Sequence, residues 1–171
     1  MADFNIAVQI TMDDDHEGGF QKMHGDKGNW TGGEVGVGEL RGTKYGISAA
    51  QFPNLDIQSL TKDQAAAIYK EGYWKDLYSQ IDDQPLANKL FDMGVLFGVH
   101  TAVRMLQISI QNKIAVVSDG VFGQQTLDTL NQLGSPLPGY KTTLIQHIVN
   151  VVTNNPDEAQ FSAGWIRRIN S

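Results

Sequence analysis

Phe4-Asn5-Ile6-Ala7-Val8-Gln9-Ile10-Thr11-Met12-Asp13-Asp14-Asp15-His16-Glu17-Gly18-Gly19-Phe20 decides how the rest of this chain is read. Phe4, Ala7, Val8, Ile10 and Met12 recur at roughly helical spacing, which predicts an amphipathic helix up to about Asp15. That helix delivers Glu17 near its C-terminal end, and Gly18 and Gly19 then stop it. A carboxylate so placed, followed by a second at Asp26, is what acid/base attack on a glycosidic bond requires. Glu17 is the candidate acid.

Outward from this stretch the chain changes character. From Gly25 to Gly46 there are eight glycines in twenty-two residues, too many for a helix interior and suited to turns or a small irregular β-hairpin. This segment is the expected wall of a cleft. Helix signals dominate afterwards. Thr61-Lys62-Asp63-Gln64 fits a capping box ahead of Ala65 to Tyr69, and Glu71-Gly72-Tyr73-Trp74 ends that helix. Leu86, Leu90, Met93 and Phe97 lie three to four apart, and Val103, Leu106 and Ile110 repeat the pattern past Gly98, so two helices follow one another. A loop at Ser118-Asp119-Gly120 precedes a short helix from about Gln124 to Leu133. The Ser135-Pro136-Leu137-Pro138-Gly139 stretch punctuates the chain before helices near 141–153 and 157–169. The expectation is a mainly α chain with one glycine-rich, irregular β segment.

Composition bounds the function. The chain has 171 residues and 41% hydrophobic content, enough to bury a real core as one domain or two small subdomains. It has no cysteine, so disulfides and thiolate metal sites are excluded. The Met1-Ala2-Asp3-Phe4 start has no basic segment followed by an apolar stretch, and no apolar run reaches membrane-spanning length. A soluble protein without its own export signal or membrane anchor is expected. Residues 1–85 hold 14 acidic and 7 basic side chains and residues 86–171 hold 5 and 6, giving −7 and +1 and together the net −6. Nucleic acid is disfavoured as a partner because no basic stripe is visible. An anionic polymer would be approached by the second half.

The ordered series HEGGF at 16–20, Asp26, TKYGIS at 43–48, LTKDQAAAIY at 60–69, Tyr73-Trp74 and FDMGVLFG at 91–98 resembles glycoside hydrolase family 108, the N-acetylmuramidases found among phage and prophage endolysins. The second half is similar to that family's predicted peptidoglycan-binding region, through Val117-Ser118-Asp119-Gly120-Val121-Phe122-Gly123 with Thr126, and Gly164-Trp165 with Arg167-Arg168. The resemblance implies a lysozyme-like helical fold, with a catalytic part at 1–85 and a helical peptidoglycan-binding part at 86–171 packed as one compact unit. It implies hydrolysis of the β-1,4 bond between N-acetylmuramic acid and N-acetylglucosamine by a cofactor-free monomer. Bacterial peptidoglycan would be its partner, reached after holin-type release or through a secretion machine. Two alternatives stay open: a lytic transglycosylase and a non-enzymatic wall-binding or secretion-accessory protein.

By position, Glu17 matches the family's catalytic glutamate, Asp26 the carboxylate of its glutamate-aspartate-threonine triad, and Thr43 the third member. The chain departs from the shorter family pattern by inserting Asn29 to Gly42 between aspartate and threonine, which makes Thr31 a rival for Thr43. It departs again at Leu96, where similar sequences often carry asparagine. Glu17 would protonate the leaving oxygen, which needs a raised pKa from a partly apolar cleft. Asp26 would activate water or stabilise an oxocarbenium-like sugar, although Gly25-Asp26-Lys27-Gly28 is also a turn composition. Sequence spacing leaves inversion and retention open.

Trp30, Tyr45 and Tyr73 are candidate sugar platforms, Tyr45 foremost because it lies beside Thr43. Trp74 and Trp165 read as core. Arg167 and Arg168 are candidates to touch anionic wall polymer, against the plainer reading of a solvated pair. No metal is expected: position 20 is Phe20 where a zincin helix needs histidine, and Asp13-Asp14-Asp15 lacks the spacing and glycine of a calcium loop. His24, His100 and His147 default to structural or surface roles.

Overall fold

The computed structural model describes residues 1–13, 19–111 and 116–171. Two compact units are present, one of residues 8–72 and one that combines residues 1–7 with 73–171. As expected, the chain is mainly α with a small sheet.

Helix α1, Phe4–Thr11, runs across the boundary between the units. It ends four residues before the expected Asp15. Its exit is tightened: Met12 N–H still reaches the Val8 carbonyl at 2.9 Å, but Asp13 N–H turns to Ile10, three residues back. Carboxylates are unfavourable at the negative end of a helix dipole, and the aspartate run begins there.

In the unit of residues 8–72, strands β1 (Phe20–Gln21), β2 (Thr43–Lys44) and β3 (Ile47–Ser48) form an antiparallel sheet in the order β1-β2-β3. The glycine segment, expected to hold turns or a small irregular hairpin, contributes β2 alone, which pairs with β1 before it and β3 after it. Phe20 pairs with Lys44 and Gln21 with Thr43, while Thr43 also faces Ser48. Gly42 makes the close approach possible. Its φ is 89°, and a Cβ there would collide with the Gln21 carbonyl oxygen and the Phe20 ring. Gly42→Ala is expected to cost roughly 1–3 kcal/mol from the left-handed backbone alone, read as a lower thermal midpoint. A midpoint unchanged from wild type would show that β1 need not pack here. Helix α2, Lys62–Tyr73, starts with the predicted reciprocal cap: Thr61 N–H donates to Gln64 Oε1 at 2.9 Å and Gln64 N–H to Thr61 Oγ1 at 3.2 Å. Its Tyr69 is buried and donates through its hydroxyl to the Tyr45 carbonyl at 2.7 Å, fastening helix to sheet turn.

The other unit is helical. Asp83 caps α3, Gln84–Phe97, by accepting from Leu86 N–H, and Pro85 sits in the first turn where its missing N–H costs nothing. Gly98, at φ 87°, separates α3 from α4, Val99–Gln111. Then come α5 (Gln124–Leu133), α6 (Leu137–Asn154) and α7 (Ala159–Asn170). Helix α6 begins inside the segment read as punctuation, because prolines are compatible with a first helical turn. Helix α4 packs on both α3 and α6, and α6 also on α7. Of the residues whose spacing predicted these helices, Leu86, Leu90, Met93, Val103, Leu106 and Ile110 are fully buried, each stabilising by roughly 1.5–3 kcal/mol, while Phe97 at the end of α3 is half-buried. Residues 1–7 join this unit through the Ala2 N–H to Ser79 carbonyl bond and through Phe4, whose ring meets Trp74 at 5.5 Å and Phe91 at 5.7 Å edge-on. Trp74 is core, as expected.

Candidate active site

The candidate acid Glu17 lies outside the described residues, two positions before Gly19 in sequence. Around it in sequence the geometry is built on Asn29. Asp26 caps the short 3-10 turn Lys27–Asn29, accepting from Gly28 N–H at 2.8 Å through Oδ1 and from the Asn29 side-chain amide at 2.7 Å through Oδ2. Both carboxylate oxygens are therefore aimed, and each keeps a further acceptor position. The turn composition read from the sequence is the turn that Asp26 caps.

Asn29 is 0% exposed and satisfied on every side. Its Oδ1 accepts from Met23 N–H at 3.2 Å, and its backbone carbonyl accepts from Arg41 N–H at 2.9 Å and Gly42 N–H at 3.0 Å. The fourteen-residue insertion thus leaves and returns to the same residue. Between its ends it closes on itself: Trp30 bridges Leu40, Thr31 N–H donates to the Glu39 carbonyl at 2.9 Å, and Gly32 N–H donates to the Val37 carbonyl at 3.1 Å. The extra length forms a self-contained loop and leaves Gly42-Thr43 bound to the residue that holds Asp26.

The two threonines differ in commitment. Thr31 Oγ1 accepts from Glu39 N–H at 2.9 Å, and Gly38 packs so tightly on it that a Cβ there would collide with the hydroxyl. Thr43, half-buried in β2, makes no side-chain hydrogen bond among the described residues.

Tyr45 and Gly46 form the two-residue turn between β2 and β3, with φ of 51° and 74°. A primed hairpin turn suits the strand twist but favours Asn-Gly. Tyr45 is the single non-glycine residue with positive φ among those described, and it holds backbone strain of order 1 kcal/mol. Its N–H donates to the Gly19 carbonyl at 3.2 Å, which ties the turn to the start of β1. The ammonium groups of Lys44 and Lys62 lie 5.4 and 5.9 Å from its ring centroid, within cation–π reach.

Trp30 is half-buried, donates to the His24 carbonyl at 2.9 Å and meets the His24 ring edge-on at 5.0 Å. Tyr73, the last residue of α2, falls in the helical unit and is not grouped with the others. Leu96 is half-buried in α3. Arg168 does not face outward: it grips the buried Asp92 carboxylate with Nε at 3.1 Å and Nη2 at 2.8 Å. Sequence reading missed Asn29 as the hub and Tyr45 as a strained turn residue. The turn was detectable, since two glycine-punctuated positions separate Thr43-Lys44 from Ile47-Ser48, whereas nothing local marks Asn29.

The glycosyl hydrolase 108 family profile matches residues 10–98. No curated protein matches the chain. Among solved structures, that of Brucella abortus SagA superposes with a TM-score of 0.70 at 22% identity, covering 98% of this chain and 89% of that one. At that identity the likeness is one of fold.

Proposed function

The chain belongs to the glycosyl hydrolase 108 family and is on that ground a glycoside hydrolase, and from that premise we propose that it is an N-acetylmuramidase which cleaves the β-1,4 bond between N-acetylmuramic acid and N-acetylglucosamine in peptidoglycan. Glu17 protonates the leaving oxygen, Asp26 orients water or stabilises the oxocarbenium-like sugar, and Thr43 holds the attacking water. The observation that carries this reading is the Asn29 hub. One buried residue fixes the Asp26 carboxylate and anchors the backbone immediately before Thr43, so the insertion does not part them. That the Thr43 hydroxyl makes no hydrogen bond among the described residues, while that of Thr31 is committed to Glu39 N–H, supports Thr43 as the third member. Tyr45 is assigned to the sugar, since backbone strain is kept where side-chain direction matters. Residues 86–171 are assigned to wall binding. Action is at the cell wall, after holin-type release or delivery by a secretion machine. No helix of the described residues is long and apolar enough to cross a membrane.

Purified peptidoglycan digested with the protein, followed by mass spectrometry, tests the proposal. Products with reducing muramic acid ends are expected. Reducing glucosamine ends, 1,6-anhydro ends or free peptides would each replace the muramidase reading with a different enzyme.

A further inference from the structure

The β2–β3 turn gathers two cations that the proposed chemistry does not use. The Lys44 and Lys62 ammonium groups stand 5.4 and 5.9 Å from the Tyr45 ring centroid, close enough for the two like charges to repel one another. Neither is neutralised. Lys44 Nζ donates to the Gln58 carbonyl at 2.9 Å, an uncharged acceptor that leaves its charge and two N–H groups unused. Lys62 makes no side-chain hydrogen bond or ion pair among the described residues, although Asp63 follows it in sequence. Lys62 is also the first residue of α2, where the positive end of the helix dipole disfavours a cation. Residues 8–72 hold ten acidic side chains against six basic ones. Carboxylates are plentiful in this unit, and none is placed on the pair.

The frame around the pair is fixed. Tyr45 N–H donates to the Gly19 carbonyl at 3.2 Å, its own carbonyl accepts from the buried Tyr69 hydroxyl at 2.7 Å, and its φ is the strained 51°. Gly19 lies two positions after Glu17 in sequence, so the turn that carries the cations is bonded to the segment that follows the candidate acid. Two uncompensated ammonium groups held beside an aromatic ring complement a sugar that carries an anion: its apolar flank meets Tyr45 and its carboxylate meets the lysines. N-acetylglucosamine has no charge. N-acetylmuramic acid has a lactyl carboxyl group, and where a peptide stem amidates that group the stem supplies the next carboxylate. We propose that Lys44 and Lys62 are specificity-determining residues that bind this muramyl carboxylate, from the lactyl group or from the stem, and so favour N-acetylmuramic acid over N-acetylglucosamine at Tyr45. The nature of the sugar rests on the muramidase reading above.

The test titrates the isotopically labelled full-length protein with N-acetylglucosaminyl-N-acetylmuramic acid, with the same disaccharide bearing L-alanyl-γ-D-glutamate, and with uncharged diacetylchitobiose. Saturable amide shifts at Tyr45, Gly46 and Lys62 are expected. An anionic probe should bind about three- to tenfold tighter than diacetylchitobiose, and that margin should shrink as salt is added. A margin on the lactyl probe places the carboxylate on the sugar, and a margin on the stem-bearing probe alone places it on the stem. Lys62→Met should reduce the margin and Lys62→Arg should keep it, each with diacetylchitobiose affinity unchanged, and Lys44→Met should reduce it independently. No saturable binding of either anionic probe, equal affinity for charged and uncharged probes, or a loss in Lys62→Met that is the same for all of them would overturn the inference. A charge-dependent margin in a protein that cuts no peptidoglycan would instead defeat the muramidase reading and leave the pair as a carboxylate site. Cutting that yields muramic acid ends without any margin would defeat the inference alone.

Discussion

Glu17→Gln is expected to lower the rate of peptidoglycan hydrolysis by about two to four orders of magnitude, the contribution of a positioned general acid. The amide keeps the size and the hydrogen-bonding reach of the carboxyl group but has no proton to give to the leaving oxygen. Circular dichroism and the thermal midpoint should match wild type, because the substitution changes chemistry and not volume. The loss should fall on kcat more than on KM, since the proton is transferred only as the glycosidic bond breaks. A folded variant that still lyses walls at the wild-type rate would remove Glu17 from the acid role. Asp26→Asn provides the contrast. Asp26 also accepts from Gly28 N–H and the Asn29 amide, so that variant should lose stability together with activity, whereas Glu17→Gln should lose activity alone.

The difference between those two residues also describes what the sequence could convey. Local signals were readable: Thr61 and Gln64 announced their reciprocal cap, and the bounds of α5 followed from helix-forming residues between glycines. Helix α1 was overextended because apolar spacing says nothing about three aspartates opposing the helix dipole. Signals that depend on distant partners were silent. Asn29 meets donors from Arg41 and Gly42 across the insertion, Gln107 reads as a polar interruption of an apolar face until the loop above it is seen, and Arg168 finds Asp92 seventy-six residues away. Glu17 stands differently from all of these. Its proposed role rests on the ordered motif series and on the family match over residues 10–98, whereas Asp26 and the backbone before Thr43 have a described geometry around Asn29.

Asp92→Ala is expected to be the most destabilising single substitution in the helical unit. Asp92 is 2% exposed and lies between two cations, with Arg168 Nη2 at 2.8 Å and Lys89 Nζ at 3.9 Å. Lys89 Nζ also donates to the Arg168 carbonyl at 2.6 Å, so the cluster fastens the end of α7 to α3. Removing the carboxylate leaves two buried cations without their counter-charge, a loss of about 3–5 kcal/mol. For a chain of this size that corresponds to a fall in thermal midpoint of roughly 10 °C. A change within about 1 kcal/mol in urea unfolding would show that water or rearrangement replaces the carboxylate. Lys89 predicts the opposite sign. Burial pushes its ammonium down to about 8, with Asp92 pulling the other way, while in the unfolded chain it keeps its proton to about pH 10. Between those values the unfolded state binds more protons, so Lys89 makes the wild type gain stability as pH rises. Lys89→Met should therefore be neutral or stabilising at pH 7 and should flatten that alkaline gain. The combined replacement of Asp92, Lys89 and Arg168 by apolar residues of similar volume should recover most of what Asp92→Ala loses, because burying a complete ion cluster and burying none are closer in energy than burying part of one.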